Sequence, residues 1–289
     1  MIKKNQLLSS YTTFKIGGPA DYFCEAKNEK EILSALKFAQ KKKIPLFILG
    51  NGSNVLISDK GLRGMVVKIA NSKYQIVKSK IVAGAGMGLN KLVDIAKENE
   101  LTGLEFLAGI PGTLGGAIVS NAGAWQQNIG DKVERVKILD ENNQFKWLNH
   151  EECQFSYRRS RFKKTKEVIL EVELKLTKGK RQESEREIKI NLKKRKNQPK
   201  EPSAGSIFIN PKPLSAGALI EECGLKGEKR GSAQISEKHA NFMVNLGGAK
   251  ASDVVELMAL ARRKVKEKFN ILLEPEINFL GEFDDQISN

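Results

Sequence analysis

The chain has 289 residues, of which 40% are hydrophobic and 29% are charged, a composition that predicts a globular protein with room for two domains. No window of 18 apolar residues exists, and the N-terminal MIKKNQLLSS lacks the apolar core of a secretory signal, so we expect a cytoplasmic protein without a membrane partner. The formal net charge of +15 favours anionic partners, among them nucleic acid and phosphorylated ligands.

The cysteines and the basic residues argue against two classes of site. Cys24, Cys153 and Cys223 are widely spaced and match no metal-ligand pattern, so the sequence predicts no metal site. Much of the positive charge lies in residues 178–200, which contain no aromatic residue. Because proteins that stack nucleic-acid bases combine basic with aromatic residues, we expect no nucleic-acid partner.

Hydrophobic spacing predicts strands and helices that alternate in the first part of the chain and are followed mainly by strands. In chain order, the predicted elements are a helix at 29–43, strands at 44–49, 55–58, 65–69 and 80–83, a helix at 89–99, strands at 133–140, 144–148 and 167–175, a helix at 216–223, a strand near 234–235, a helix at 252–269 and a strand at 277–280. Ser252 is the expected N-cap of the last helix. The segment 103–123 is too rich in glycine for a plain helix. This pattern is typical of an α+β fold, with a domain boundary in residues 178–200.

One glycine pattern is close to the dinucleotide-binding fingerprint. Residues 80–89 are predicted to run from a strand through Gly84, Gly86 and Gly88 into a helix. The Rossmann fingerprint is G-x-G-x-x-G, and Leu89 occupies the position of its third glycine. The pattern therefore does not favour a Rossmann-type NAD site.

Two other glycine-rich loops give a stronger signal. Residues 49–59 read LGNGSNVLISD, and residues 109–123 read GIPGTLGGAIVSNAG, with no charged side chain in the second loop. Backbone N–H groups in such turns can bind a pyrophosphate without a cationic side chain. Purely structural turns are the alternative for either loop alone. The two loops together predict an enzyme that holds a phosphate-bearing cofactor.

An ordered set of motifs extends along almost the whole chain. It comprises IGGPA, LGNGSNVLISD, GLEFLAGIPGTLGGA, NAGA, FSYRRS, SAGSIFINP, SEKHANFMVN and LEPEINFLG. The set resembles the UDP-N-acetylenolpyruvoylglucosamine reductases of peptidoglycan synthesis. The resemblance implies an FAD-binding domain of the vanillyl-alcohol-oxidase type over residues 1–178, with two α/β lobes split near residue 70. A smaller α+β substrate-binding domain is expected over residues 179–289.

The resemblance also implies noncovalent FAD, with NADPH as the reductant. His150 and His239 lie outside the two glycine loops, and the loops contain no cysteine, so no residue there can tether a flavin. The expected FAD contacts are Gly50, Asn51, Gly52, Ser53, Asn54, Gly109, Pro111, Gly112, Thr113, Gly115, Gly116, Ala117, Asn121, Ala122 and Gly123.

The reaction that the resemblance implies is reduction of an enolpyruvyl ether to a lactyl ether on a UDP-sugar. A hydride passes from the reduced flavin to the terminal carbon, negative charge spreads into the substrate carboxylate, and one proton is delivered. By position in the family motifs, Arg158 should face this charge, Ser206 should donate the proton, and Glu276 should orient the carboxylate. The expected substrate contacts are Tyr157, Asn210 and Lys200.

The sequence departs from the family pattern and leaves two other functions open. Ile209 stands where many relatives have a lysine, and the chain resembles a shorter subtype without the substrate-domain tyrosine loop. One alternative is an FAD-linked oxidase of the same fold, in which Arg158, Ser206 and Glu276 have no assigned purpose. The other is a basic nucleic-acid-binding protein without a flavin. We expect a monomer.

Overall fold

The computed structural model describes residues 1–283 and has the expected α+β composition. Among the described residues, no helix combines the length and the apolar character needed to cross a bilayer. The α-helices are α1 (Glu29–Lys42), α2 (Leu89–Glu98), α3 (Leu114–Ser120), α4 (Arg181–Lys194), α5 (Ala216–Glu222) and α6 (Ala251–Phe269). The strands are β1 (Lys3–Leu7), β2 (Pro19–Ala26), β3 (Leu46–Leu49), β4 (Val55–Ile57), β5 (Leu62–Ile69), β6 (Tyr74–Val77), β7 (Lys80–Gly84), β8 (Leu101–Thr102), β9 (Gly123–Ala124), β10 (Gln127–Asn128), β11 (Val133–Leu139), β12 (Phe145–Asn149), β13 (Val168–Lys175), β14 (Thr177–Lys178), β15 (Ser203–Ser206), β16 (Lys229–Arg230), β17 (Ala233–Ile235), β18 (Phe242–Asn245) and β19 (Asn278–Leu280).

The chain forms two compact units that are not contiguous in sequence. Unit 1 contains residues 24–51 and 67–196, together with Met1. Unit 2 contains residues 2–23, 52–66 and the chain from Asn197 onward. The boundaries at residues 23/24 and 66/67 fall inside strands β2 and β5, whereas those at 51/52 and 196/197 lie outside the helices and strands. The predicted division into an FAD-binding domain (residues 1–178) and a substrate-binding domain (residues 179–289) concerns function rather than compactness, and it stays a prediction.

Unit 1 is built around a five-stranded antiparallel sheet of order β12-β11-β13-β7-β6. Its central strand β13 buries Val172 and Leu174 completely. Helix α3 lies against β13 and β7, and its Leu114 and Ile118 are also fully buried. The apolar run of β13 is typical of a strand that is covered on both faces.

Helix α1 of unit 1 begins and ends close to the predicted bounds because its capping signals are local. The side chain of Asn28 accepts a hydrogen bond from the backbone N–H of Glu31 (3.0 Å). Ile32 and Leu36 lie one turn apart and are buried. Lys43 ends the helix in the left-handed conformation, with a φ of 54°.

Unit 2 is built around a four-stranded antiparallel sheet of order β15-β18-β17-β16. Helix α6 contributes Val254, Met258, Ala261 and Val265 to the core of this unit, at the spacing of an amphipathic helix. Strand β19 pairs with β4 in parallel. Unit 2 therefore joins segments from three distant parts of the sequence.

The prediction that segment 103–123 is too rich in glycine for a plain helix was wrong, because α3 lies there. Thr113 caps α3 by accepting a hydrogen bond at its Oγ1 from the N–H of Gly116 (3.4 Å). A Cβ placed on Gly115 would lie 2.9 Å from the Cβ of Ala85, so the glycine allows the helix to pack closely on the segment after β7. The low helix propensity of glycine is outweighed here by this packing.

The prediction of Ser252 as the N-cap of α6 was also wrong. The helix begins at Ala251, one residue earlier. The carboxylate of Asp59 accepts hydrogen bonds from the N–H of Ala251 (2.7 Å) and from the N–H of Ser252 (3.1 Å). A residue in the first glycine-rich motif therefore caps a helix that lies almost two hundred positions further along the chain.

Candidate active site

The first glycine loop follows β3 and presents unused backbone donors. Within residues 1–283, none of the hydrogen bonds uses the backbone N–H groups of residues 51–54. Gly52 has a φ of +59°, and a Cβ there would lie 2.4 Å from the backbone oxygen of Tyr11. Only glycine fits that position. The loop is thus held close to Tyr11 at Gly52, and the N–H groups of residues 51–54 are available to a ligand.

The second glycine loop meets the first at one close contact. A Cβ on Gly50 would lie 2.4 Å from Oγ1 of Thr113. Beside Gly116, in contrast, the nearest atom to such a Cβ, apart from its chain neighbours and its own helix backbone, would be Oγ1 of Thr113, at 3.5 Å. The two loops therefore lie side by side in unit 1 at Gly50 and Thr113, with open space at Gly116. The unused N–H groups of the first loop can donate hydrogen bonds to a pyrophosphate, and the open space at Gly116 leaves room for one. Both features fit the pyrophosphate of FAD.

Several predicted FAD contacts have partners within the protein. The N–H of Gly109 donates to Oδ1 of Asn90 (2.8 Å), and the N–H of Gly115 donates to the backbone oxygen of Ala85 (2.8 Å). Any contribution of Gly109 and Gly115 to a cofactor site comes from the absence of a side chain. The role of the predicted set as FAD contacts stays a prediction.

Asn121 has both polar side-chain atoms engaged within unit 1. Its Nδ2 donates to the backbone oxygen of Ser156 (2.9 Å), and its Oδ1 accepts from the N–H of Gly130 (2.9 Å). The side chain is 4% exposed. Asn121 therefore supports the turn that starts at Ser156.

Arg158 lies in that turn, in a strained backbone conformation. The backbone groups of Ser156 and Arg159 exchange two hydrogen bonds around it (2.9 and 3.1 Å). Arg158 has a φ of +58°, which costs a residue with a side chain about 1 kcal/mol or more. Its Nη1 donates to the backbone oxygen of Gly123 (3.0 Å). Strained residues concentrate at active sites, and the guanidinium is held directly on the second glycine loop.

Ser206 and Glu276 lie on two neighbouring segments of unit 2. Ser206 ends strand β15 and pairs with Phe242 of β18. The N–H of Glu276 donates to the backbone oxygen of Ile207 (2.8 Å). The next pair along is an antiparallel bridge between Phe208 and Pro275. The structure thus brings two of the three predicted catalytic residues together, and Arg158 lies in unit 1.

Asn241 is a residue that the sequence analysis missed. Its Oδ1 accepts from the N–H of Phe208 (2.9 Å) and its Nδ2 donates to the oxygen of Phe208 (2.8 Å), so one side chain binds both groups of a peptide unit. It is 3% exposed. Asn241 lies in the SEKHANFMVN motif, whose position in the ordered set was the available signal. It fixes the segment that follows Ser206.

Asn54 connects the first loop to Glu276. The Nδ2 of Asn54 donates to the backbone oxygen of Glu276 (3.3 Å). The backbone oxygen of Asn54 accepts from the N–H and the Nδ2 of Asn278 (3.0 and 3.1 Å). Thr13, three residues before the IGGPA motif, donates from Oγ1 to the backbone oxygen of Ser203 (2.7 Å). These contacts link residues of the first loop to the segments that carry Ser206 and Glu276, all within unit 2.

The predicted substrate contacts occupy exposed positions in both units. Tyr157, in unit 1, is 43% exposed, and its ring lies 5.8 Å from the guanidinium carbon of Arg158. Asn210 and Lys200 are exposed residues of unit 2. Oδ1 of Asn210 accepts from the N–H of Ala216 (3.0 Å), which leaves its Nδ2 as the atom to contact a ligand.

The two histidines have structural partners. Nδ1 of His150 lies 3.2 Å from the backbone oxygen of Val133. Nδ1 of His239 accepts from the N–H of Asn241 (3.3 Å), and burial lowers the pKa of His239, so the ring is neutral. Neither histidine belongs to the two glycine loops.

Comparison with known proteins identifies both parts of the chain. The family profile described as an FAD binding domain matches residues 20–149. The profile for the C-terminal domain of UDP-N-acetylenolpyruvoylglucosamine reductase matches residues 198–280. These matches confirm the expected fold class and the expected FAD cofactor.

Full-length relatives carry the same name. A UDP-N-acetylenolpyruvoylglucosamine reductase from Caldanaerobacter subterraneus is 44% identical over 281 residues, covering 96% of this chain and 93% of its own length. The enzyme from Caldicellulosiruptor bescii is 45% identical, covering 97% and 91%. A crystal structure of the Thermus caldophilus enzyme superposes with a TM-score of 0.85 at 37% identity, over 97% of this chain and 98% of that one.

Identity at this level over nearly the whole of each chain agrees with the amide-lined glycine loops and with the paired segments that carry Ser206 and Glu276. The chain belongs to the UDP-N-acetylenolpyruvoylglucosamine reductase family, a family of FAD-dependent oxidoreductases.

Proposed function

We propose that this protein uses NADPH and noncovalently bound FAD to reduce the enolpyruvyl ether of UDP-N-acetylglucosamine enolpyruvate to UDP-N-acetylmuramate. FAD, when bound, supplies the hydride. The proposal includes a cytoplasmic monomer in which NADPH and the sugar nucleotide bind in turn. The observation that carries it is the pairing of the segments bearing Ser206 and Glu276 in a chain of this family.

Hydride addition to the terminal carbon leaves negative charge on the adjacent carbon and on the substrate carboxylate. Arg158 is the residue we assign to this charge, because its guanidinium stays ionised and can bind a carboxylate through two donors. The strained φ of +58° supports this role, since a glycine there would be less strained. Stabilising charge that develops only in the transition state accelerates the reaction.

Ser206 is the residue we assign as the proton donor, acting on the carbon next to the carboxylate. A serine hydroxyl is a weak acid, so its surroundings must favour the transfer. Glu276 lies on the neighbouring segment, where its N–H is bonded to Ile207, and we assign it to orienting the carboxylate. The fully buried side chains of Ile207 and Phe208 directly follow Ser206 and anchor the end of strand β15.

Tyr157, Asn210 and Lys200 are the residues we assign to the substrate diphosphate. All three are exposed, and Lys200 contributes positive charge. The net charge of +15 favours both anionic ligands, the UDP-sugar and NADPH.

The first experiment follows the flavin through both half-reactions. The purified protein should be yellow, and acid precipitation should release its flavin into the supernatant because no covalent tether exists. NADPH should bleach the bound flavin, and the enolpyruvyl sugar nucleotide should restore its absorbance in the absence of oxygen. Rapid restoration by oxygen, with none by the sugar nucleotide, would instead identify an oxidase.

The second experiment replaces Ser206 by alanine. Ser206→Ala should leave flavin reduction by NADPH unchanged and slow reoxidation by the sugar nucleotide roughly 10²-fold or more. Ser203→Ala, on the same strand, is the matched control and should slow neither step. No hydrogen bond within residues 1–283 uses the Ser206 hydroxyl, so both variants should keep their free energy of unfolding within about 0.5 kcal/mol. Equal slowing of both half-reactions by Ser206→Ala would rule out the proton-donor role.

A further inference from the structure

Helix α4 packs on the rest of unit 1 through polar rather than apolar side chains. Its buried residues are Ser184 and Asn191, both polar. Arg195 follows the helix as its C-cap residue and is partly buried. The spacing of seven and four residues places these three side chains on one face of the helix. Because a helix without a buried apolar stripe gains little from hydrophobic packing, its attachment depends on these polar groups.

All three side chains bind the segment that leads into the second glycine loop. Oγ of Ser184 donates to Oε1 of Glu105 (2.6 Å). Nδ2 of Asn191 donates to the backbone oxygen of Glu105 (3.1 Å). Nε and Nη2 of Arg195 donate to the backbone oxygens of Ala108 (2.9 Å) and Phe106 (3.3 Å). The face of α4 therefore holds carbonyl groups at residues 105, 106 and 108, directly before Gly109.

Glu105 joins these contacts to the segment's own backbone. Its carboxylate accepts from Oγ1 of Thr102 (2.7 Å) and from the N–H of Gly103 (2.8 Å). Burial opposes ionisation of Glu105, but the hydrogen bonds from Ser184, Thr102 and Gly103 outweigh it, and its pKa lies below the ordinary value. The carboxylate is thus a fixed acceptor at neutral pH.

Arg195 also limits the space at Gly109. A Cβ on Gly109 would lie 3.0 Å from Cδ of Arg195, and Gly109 has a φ of +78°. Burial, and then the charge of Arg158, lower the pKa of Arg195. Within residues 1–283, no carboxylate lies within ion-pair distance of Arg195.

We infer that Ser184, Asn191 and Arg195 are positioning residues for the cofactor: they hold residues 105–109 in the conformation that the second glycine loop needs to bind FAD. The inference rests on the proposed function, because it takes the ligand of this loop to be FAD. By this inference, the cationic stretch at residues 178–200, in which the sequence predicts a domain boundary, also contributes to cofactor binding.

The experiment compares variants of the buried face with variants of the exposed face of the same helix. Asn191→Ala is matched by Gln182→Ala, and Arg195→Gln is matched by Arg186→Gln, because Gln182 and Arg186 are exposed. FAD affinity of each apo-protein is measured by quenching of FAD fluorescence. Amide hydrogen exchange of residues 103–109 in the apo-protein gives a second readout that needs no flavin.

Loss of one neutral hydrogen bond should weaken FAD binding roughly 5-fold in Asn191→Ala, and loss of the two bonds from Arg195 should weaken it about 10-fold or more. Both should speed exchange in residues 103–109, whereas the exposed-face variants should stay within about two-fold of the parent in FAD affinity. A purely structural role predicts another result. It would lower the free energy of unfolding but leave the FAD affinity unchanged, since a small unfolded fraction barely alters an apparent dissociation constant.

Two outcomes overturn the inference: buried-face variants that bind FAD as tightly as their exposed-face controls, or exchange in residues 103–109 that does not change. If a larger substitution prevents folding, Ser184→Ala removes a single hydroxyl and is expected to weaken FAD binding about 3-fold. Failure of the parent protein to bind FAD would contradict the proposed function instead, and the exchange measurement would still test whether α4 holds the loop.

Discussion

Gly116 offers a direct test of where the cofactor lies, because protein atoms leave space for a methyl group there. In Gly116→Ala, the new Cβ would lie 3.5 Å from Oγ1 of Thr113, an ordinary van der Waals contact. Gly116 lies inside α3 and is not among the glycines with a positive φ, so alanine can adopt its backbone conformation. Replacing glycine by alanine in a helix stabilises it by up to about 1 kcal/mol. The apo-protein should therefore be as stable as the parent or more stable by up to about 1 kcal/mol.

The affinity of Gly116→Ala for FAD should fall, although the stability of its apo-protein should not. If the open space beside Gly116 receives FAD, the methyl group displaces the cofactor, and we expect FAD affinity to fall roughly 10-fold or more, equivalent to about 1.4 kcal/mol. The neighbouring Gly115→Ala is the comparison, because its Cβ would lie 2.9 Å from the Cβ of Ala85. That contact should destabilise the apo-protein by about 1–3 kcal/mol.

The assay measures two quantities for each variant: the free energy of unfolding of the apo-protein in urea, and the dissociation constant of FAD by fluorescence quenching. The reasoning predicts a stable Gly116→Ala apo-protein that binds FAD poorly. A Gly116→Ala variant with undiminished FAD affinity would show that the space beside Gly116 is not the cofactor's. An unstable Gly116→Ala apo-protein would show that the space is smaller than the structure indicates.

Two further predictions concern stability. Glu173 is 4% exposed and binds Nζ of Lys80 (2.9 Å) and Nε of Arg135 (2.6 Å). Burial opposes its ionisation, but those two bonds and charges outweigh it, and its pKa lies below the ordinary value. Glu173→Gln should cost about 1–2 kcal/mol in urea unfolding at pH 7, less than a fully buried pair, because both cations stay partly hydrated. This cost should be constant above the ordinary glutamate pKa of about 4.3 and should vanish as the pH falls through the lowered pKa; a cost that persisted at lower pH would contradict the assignment. Asp59→Ala should lower the unfolding free energy by about 1–2 kcal/mol, since it removes both acceptors at the start of α6, and Asp59→Asn, which keeps one acceptor, should lose less.

Local signals were enough to predict some elements and not others. Helix α1 was predicted at residues 29–43 and is observed at Glu29–Lys42, because its cap and its apolar stripe are adjacent in sequence. Helix α3 was missed because its stability comes from packing of Gly115 on Ala85, a contact that no pattern within residues 103–123 reveals. The cap of α6 was assigned to Ser252 because the true acceptor, Asp59, lies far away in the chain.

The candidate site shows the same division between local motif and distant contact. The motifs identified Ser206 and Glu276, but only the structure shows that their segments are hydrogen-bonded neighbours. Asn121 and Asn54 were predicted as cofactor contacts from their places in glycine-rich loops, and the structure adds partners at Ser156 and Glu276. Asn241 was not singled out by the sequence analysis. Its side chain binds the N–H and the oxygen of Phe208, 33 residues earlier, and only the fold brings these groups together.

The parallel pairing of β4 with β19 has a consequence for the order of folding during synthesis. Strand β4 lies within the first glycine-rich loop, yet its partner Asn278–Leu280 is made more than two hundred residues later. The hydrogen bonds of Asn54 with Glu276 and Asn278 likewise cannot form until those residues have been made. Most segments of unit 1 can emerge from the ribosome before these partners exist, whereas long-range pairing makes unit 2 slow to form. The first glycine-rich loop therefore lacks the support of these contacts until residues 276–280 have been released.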